Sequence, residues 1–155
     1  MSAQGRVLDQ ARVKSLAAEP LLVVICGRYK GVDQRIIDRY VTEEVSIGDY
    51  VLSGGELPAL VIVDAMVRRI AGVLHDAASA DCDSFTDERD GGLDCPWYTK
   101  PPVYRDLAVP EVLRSGNHAH VEAWRREQSL VRTARRRPDL LAHIDPETLS
   151  EQDTR

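Results

Sequence analysis

A chain of 155 residues with 43% hydrophobic and 29% charged residues is long enough for one compact domain with a small appendage, burying about two thirds of its unfolded surface. No apolar run approaches the ~18 residues of a membrane span, and the opening MSAQGRVLDQARVK lacks the apolar stretch of a secretory signal, so the sequence reads as soluble and cytoplasmic. The net charge of −5 argues against indiscriminate coating of nucleic acid, and three cysteines and four histidines at spacings that match no zinc pattern argue against a structural metal.

Leu21 to Cys26 (LLVVIC) is a continuous apolar, β-branched run, which predicts a strand covered on both faces, with Cys26 as a small buried core residue. It leads into the loop Gly27-Arg28-Tyr29-Lys30-Gly31. Val32, Ile36, Ile37, Tyr40 and Val41 then recur at helical spacing, and Glu43 to Ile47 supplies a second short strand. Ser46 to Glu56 (SIGDYVLSGGE) packs a strand end, a glycine turn and a helix start into eleven positions. Gly48 and the Gly54-Gly55 pair allow positive φ and close backbone approach, and Ser53 is placed to cap the helix that Glu56 and Leu57 begin. Such a loop can hold a ligand on backbone amides, or it can be a plain strand-to-helix turn. Leu57 to Ile70 reads as a largely apolar helix interrupted by Asp64, Arg68 and Arg69, and the α/β class follows.

From about Ala78 to Gly92 the composition turns to Asp, Ser, Ala and Gly, the mark of an exposed connection and a boundary. Beyond it Pro96, Pro101, Pro102 and Pro110 predict an extended segment, until Asn117 caps a helix running through Trp124 to about Arg136 that Pro138 ends. A short final helix is expected near Asp145-Pro146. That long helix carries Arg125, Arg126, Arg132, Arg135 and Arg136, with Arg137 after it, and the only acid among them is Glu127. Either the face is solvated or it contacts the phosphates of RNA or DNA, beside a Trp that packs or stacks. Arg68 in an apolar helix must reach solvent or a partner. Asp83 reads as solvated loop by composition, and Asp94 as a turn or cap residue.

The phrases Cys26-Gly27-Arg28-Tyr29, SIGDYVLSGGELPA, Asp83-Ser84-Phe85, LDCPWYT, Ser115-Gly116-Asn117-His118 and RRPDLL occur in this order. Together they resemble the bacterial tRNA (guanine-N1)-methyltransferase family, TrmD, from Gln4-Gly5-Arg6 to about Leu141. The resemblance implies a SPOUT-class α/β fold, a parallel sheet with a deep trefoil knot that binds S-adenosylmethionine, and a homodimer. It divides the chain into a partial knotted domain (1–77), a flexible interdomain linker (78–95) and a helical RNA-binding domain (96–155). Gly27, Tyr29, Ser46, Ile47, Gly48, Tyr50, Leu52, Gly54 and Gly55 match the cofactor loops. Asp83 matches the proposed general base, Arg68 the cation that steadies guanine O6, and Asp94 an acid near the purine, while Arg132 and Arg136 fall on the RNA-binding helix. The implied substrate is the tRNA anticodon stem-loop, methylated at the guanine 3′ of the anticodon. A magnesium ion is implied by the resemblance and by no ligand pattern in the sequence.

This chain departs from the family at Lys30, where an acid is usual, and at Ala3, where proline is common. The family's further βα units upstream of Gln4-Gly5-Arg6 have no counterpart here, so the sheet is expected to lack partners. A reversed charge at Lys30, beside a cationic sulfonium, is unfavourable. The expected function is therefore methyl transfer by lineage. The alternatives are a non-catalytic knot module that binds RNA or a partner chain, and a fragment of a longer active enzyme.

Overall fold

The computed structural model describes residues 1–70, 72–73 and 82–143, with Glu88 and His143 in backbone only. The chain divides into two compact units, Met1–Ala80 and Asp81–Arg155, of mixed α/β character.

In the first unit a short strand β1 (Arg6–Val7) runs parallel to β2 (Val45–Ser46), with Arg6 opposite Val45 and Val7 opposite Ser46. Backbone bonds from Ser2 N to Val45 O (3.0 Å) and Leu8 N to Ser46 O (2.9 Å) extend the pairing at both ends. Gly5 has to be glycine, because a Cβ there would run into the Glu44–Val45 peptide. Helix α1 (Gln10–Ala17) follows, its first turn closed by the Asp9 carboxylate accepting from Arg12 N at 2.7 Å. Leu16 of α1, Val45 of β2 and Ile62 of α3 (Glu56–Val67) make the small core, with Met1, Leu8 and Met66 packed against it. The sequence reading overlooked α1, although Asp9 as cap and the Val13/Leu16 spacing announce it. Helix α2 (Gln34–Tyr40) lies within the span expected for it, with Asp33 as its cap.

Three expectations are corrected. Leu21 to Cys26 joins no ladder, and Leu21 and Val23 are 79% and 78% exposed. Cys26 is exposed rather than a core residue. A doubly covered strand needs neighbours on both edges and layers on both faces, and among the described residues the ladder of this unit consists of β1 and β2. Ser53 does not cap α3: the helix begins at Glu56 as expected, but Gly55 takes the capping position and there is no side-chain cap. Helix α3 is apolar on every side, the pattern of an element buried all round, yet Ile62 is its one buried residue.

In the second unit the segment expected to be extended folds into a hairpin, β3 (Val103–Tyr104) antiparallel to β4 (Leu107–Ala108). Arg105 and Asp106 form its two-residue turn with φ of 47° and 65°, the double left-handed geometry of a type I′ turn. Arg-Asp is not the glycine-bearing pair that signals such a turn, so no local pattern announces it. Helix α4 (His118–Arg136) has the limits read from Asn117 and Pro138: the Asn117 side chain accepts from His120 N at 3.3 Å, and Arg137 N closes on Thr133 O at 2.8 Å. A short 3₁₀ turn, Pro138–His143, follows. The helix expected near Asp145-Pro146 lies outside the described residues.

Residues Gly92 to Cys95 lie along α4. Thr133, wholly buried, takes Leu93 N on its hydroxyl at 2.9 Å while donating to Ser129 O at 2.8 Å. The Ser129 hydroxyl in turn donates to Leu93 O.

Candidate functional site

The candidate site residues fall into two constellations, one in each unit. In the first, the two glycine loops are clasped together. Gly55 N donates to Gly27 O at 2.9 Å, Arg28 bridges Gly54 in antiparallel fashion, and the Arg28 guanidinium pairs with Glu56 at 2.8 Å. The approach is close enough that a Cβ on Gly55 would lie 2.8 Å from Cys26 Cα, so only glycine lets the loops meet. At Gly54 the first obstacle to a Cβ is instead the end of the Glu56 side chain. The Glu56 backbone N–H and then the Arg28 guanidinium hold the Glu56 carboxyl below the usual carboxylate range.

The neighbouring turn is built on its own bonds. Buried Ser46 accepts from Gly48 N at 3.2 Å and donates to Gly48 O at 3.1 Å, and Tyr50 OH donates to Ile47 O at 3.3 Å. Gly48 has φ of 144°, and a Cβ there would meet the Tyr50 ring at 2.6 Å. Tyr29, at φ 59°, is fully exposed, and Leu52 and Lys30 are also exposed. The structure thus joins Gly27 to Gly54 and Gly55, forms Ser46, Ile47, Gly48 and Tyr50 into one turn, and leaves Tyr29 and Leu52 open. Arg68 is the exposed residue that ends α3, its N–H on Asp64 O.

In the second unit Asp83 and Asp94 are drawn into one loop. Thr86 Oγ1 donates to Asp83 O at 2.7 Å, Phe85 N to Gly92 O at 2.7 Å, and Asp94 N to Ser84 Oγ at 2.9 Å. The Asp94 carboxylate is engaged on every side: Oδ1 accepts from Cys95 N at 2.7 Å and pairs with Arg89 at 3.1 Å, and Oδ2 accepts from Trp97 Nε1 at 2.5 Å. The Arg89 and Asp94 side chains are each 13% exposed, so this pair is held out of solvent. Arg132 donates to the carbonyls of Asp94 and Cys95, both at 3.3 Å, while Arg136 stands exposed in the last turn. Burial first, and then the Asp94 charge, push the Cys95 thiol up from its ordinary value. Arg125 lies over the Trp97 ring at 4.9 Å and pairs with Glu122 at 2.6 Å, and Tyr98 meets Trp124 at 6.3 Å. Sequence reasoning did not single out Arg89 or Trp97. Their signal was proximity: Trp97 stands in the same short phrase as Asp94, and Arg89 is a cation within an acidic stretch.

A glycine-built cradle in an α/β unit, joined in one chain to an arginine-bearing helix, is suited to a protein that brings a small ligand to a polyanion. Comparison with known proteins makes that class specific. The family model for tRNA (Guanine-1)-methyltransferase TrmD matches residues 1–143, and the chain belongs to that family. It is 59% identical over 141 residues to the tRNA (guanine-N(1)-)-methyltransferase of Aromatoleum aromaticum, covering 91% of this chain and 52% of the relative. To the proteins of the same name from Pseudomonas fluorescens SBW25 and Herminiimonas arsenicoxydans it is 60% and 55% identical, covering 55% and 56% of them. The chain spans about half the length of the curated relatives it matches.

Proposed function

We propose that this chain carries the cofactor clasp and the RNA-binding unit of an S-adenosylmethionine-dependent tRNA (guanine-N1)-methyltransferase with a SPOUT-type knot, acting in the cytoplasm as a homodimer on the anticodon stem-loop. The observation that carries the reading is the clasp. A ligand cradle of backbone groups needs two loops that approach without side chains between them, and Gly27 and Gly55 supply that approach. The close loop approach fits the group, and Gly27, Gly54, Gly55 and the Ser46–Gly48 turn would hold it. When bound, S-adenosylmethionine supplies the electrophilic methyl group.

The chain's own part is positioning and proton transfer. Guanine N1 carries a proton that must leave as the nitrogen forms its new bond to carbon, and Asp83 accepts it. Negative charge then gathers on O6, where the Arg68 guanidinium stabilises it. Arg136 engages phosphate, and Arg132 fixes the loop that holds Asp94. The division into Met1–Ala80 and Asp81–Arg155 gives the cofactor and RNA functions separate bodies. Among the described residues no group of three candidate ligands could hold a metal, and magnesium is given no step. No helix of the described residues is long and apolar enough to cross a membrane.

Calorimetric titration of the chain with S-adenosylmethionine tests the reading: saturable binding that Gly55→Val removes is expected, and the absence of binding by the unchanged protein overturns it. A second reading, a module completed by a partner chain, is favoured by one observation, the exposed apolar run Leu21–Val23.

A further inference from the structure

Trp97 is a large aromatic side chain left 63% exposed, and its orientation is fixed before any ligand arrives. Its Nε1 donates to Asp94 Oδ2 at 2.5 Å. That carboxylate is itself held by Arg89 and by Cys95 N, so the ring is anchored to a nearly buried ion pair. The Arg125 guanidinium lies 4.9 Å from the ring centroid, within range for a cation–π contact, and is steadied by Glu122. Exposing this much apolar area to water is unfavourable, and holding it rigidly there forgoes the rotamer freedom an exposed side chain normally keeps.

We propose that Trp97 is a stacking platform for an unpaired RNA base, oriented by Asp94 and Arg125; this rests on the RNA-binding reading above. The charge around the ring selects the occupant. An apolar protein surface laid on Trp97 would bury the Arg125 cation, at a desolvation cost. A nucleobase presents a flat π-face to the ring and brings a phosphate for the cation. Lys100 and Arg136, exposed in the same unit, offer further phosphate contacts. Base stacking of this kind discriminates unpaired from paired strands and tolerates sequence. Asp94 and Arg89 act here as positioning residues, through the ring they hold.

The sequence contains two tryptophans, so Trp124→Phe leaves Trp97 as the sole reporter. This variant is titrated with an anticodon stem-loop RNA and with a blunt duplex of equal phosphate number. Quenching of Trp97 emission by the stem-loop and not by the duplex is expected. Trp97→Ala, in the otherwise unchanged chain, should weaken stem-loop binding about tenfold or more and leave the slope of log affinity against log salt unchanged, because a stacked ring releases no counterions. Trp97→Phe, which keeps a stacking face without the Asp94 bond, should recover part of the affinity, the shortfall measuring what the Asp94 anchor contributes. Unchanged affinity of Trp97→Ala, equal quenching by the duplex, or a flattened salt slope overturns the platform while leaving RNA binding intact. An emission change that follows protein concentration without RNA assigns Trp97 to a contact between copies and also overturns it. If the unchanged chain binds neither RNA, the RNA-binding reading fails together with the platform.

Discussion

Gly54 and Gly55 are neighbours in sequence and differ in what each tolerates. A side chain on Gly55 meets Cys26 backbone at 2.8 Å, which moves only if the whole loop moves, whereas at Gly54 it meets the flexible end of Glu56. Gly55→Val should therefore open the clasp, reducing S-adenosylmethionine affinity at least tenfold, with an overpacking cost of about 1–3 kcal/mol in stability. Gly54→Val should weaken binding by only a few-fold. Calorimetry and thermal melts of both variants check the order; equal effects would mean that the backbone approach is not what holds the ligand. The three cysteines give a second contrast. Cys26 and Cys82 are exposed and Cys95 is buried, with its thiol pushed upward by burial, so alkylation followed by mass spectrometry should modify the first two rapidly and Cys95 slowly at pH 8. A raised folded-state value means that the neutral thiol's contribution to stability is fully present below the ordinary value of 9.0 and is lost as pH rises through the raised one. Cys95→Ser should flatten the loss of thermal stability in that alkaline window, and an unchanged profile would show that another group titrates there.

Among the elements, what the sequence disclosed depended on whether an element is fixed by its own ends. Helix α4 could be delimited from Asn117 and Pro138, because capping and ring closure are local. The run Leu21–Cys26 carries a strand's composition, but a strand exists only through its neighbours, and no local signal supplies them. The candidate site divides in the same way: the glycines of the clasp were legible as loop chemistry, while Arg89 and Trp97 lie close to Asp94 in sequence but composition did not show that the three would join. Helix α4 also separates two arginines that the sequence treated alike. Arg132 donates to two loop carbonyls and Arg136 faces water. Arg136→Ala should lower RNA affinity and reduce the salt slope by about one, with stability unaltered. Arg132→Ala should cost about 1–3 kcal/mol of unfolding free energy, because buried carbonyls lose a charged donor. Gel shifts across a salt series, read beside denaturant unfolding, distinguish the two; a full loss of slope in Arg132→Ala without destabilisation would return that residue to phosphate contact.

For the whole molecule, the proposed function divides one reaction between the two units, assigning Arg68 and the clasp in Met1–Ala80 and Asp83 in Asp81–Arg155. Transfer requires that these parts be fixed to within about an ångström, since a misplacement of that size can cost about a hundredfold in rate. The first unit leaves Leu21, Val23 and most of α3 exposed, and the match covers 52% and 55% of two of the relatives. Apolar surface of that extent is ordinarily covered by a further segment or a partner. We therefore predict that the 155-residue polypeptide alone moves radiolabelled methyl groups to an anticodon stem-loop RNA at least about a hundredfold more slowly than a version extended at its N-terminus with the preceding segment of a relative. Lys30→Glu in the extended version should raise the rate further, as expected where the family resemblance puts this position near the cationic cofactor. Asp83→Asn should abolish the recovered activity while leaving RNA affinity unchanged, as expected of a group that takes a proton and does not hold substrate. Full activity of the short polypeptide would sink the argument from exposed surface. An extended enzyme indifferent to Asp83→Asn would need a different base for the N1 proton.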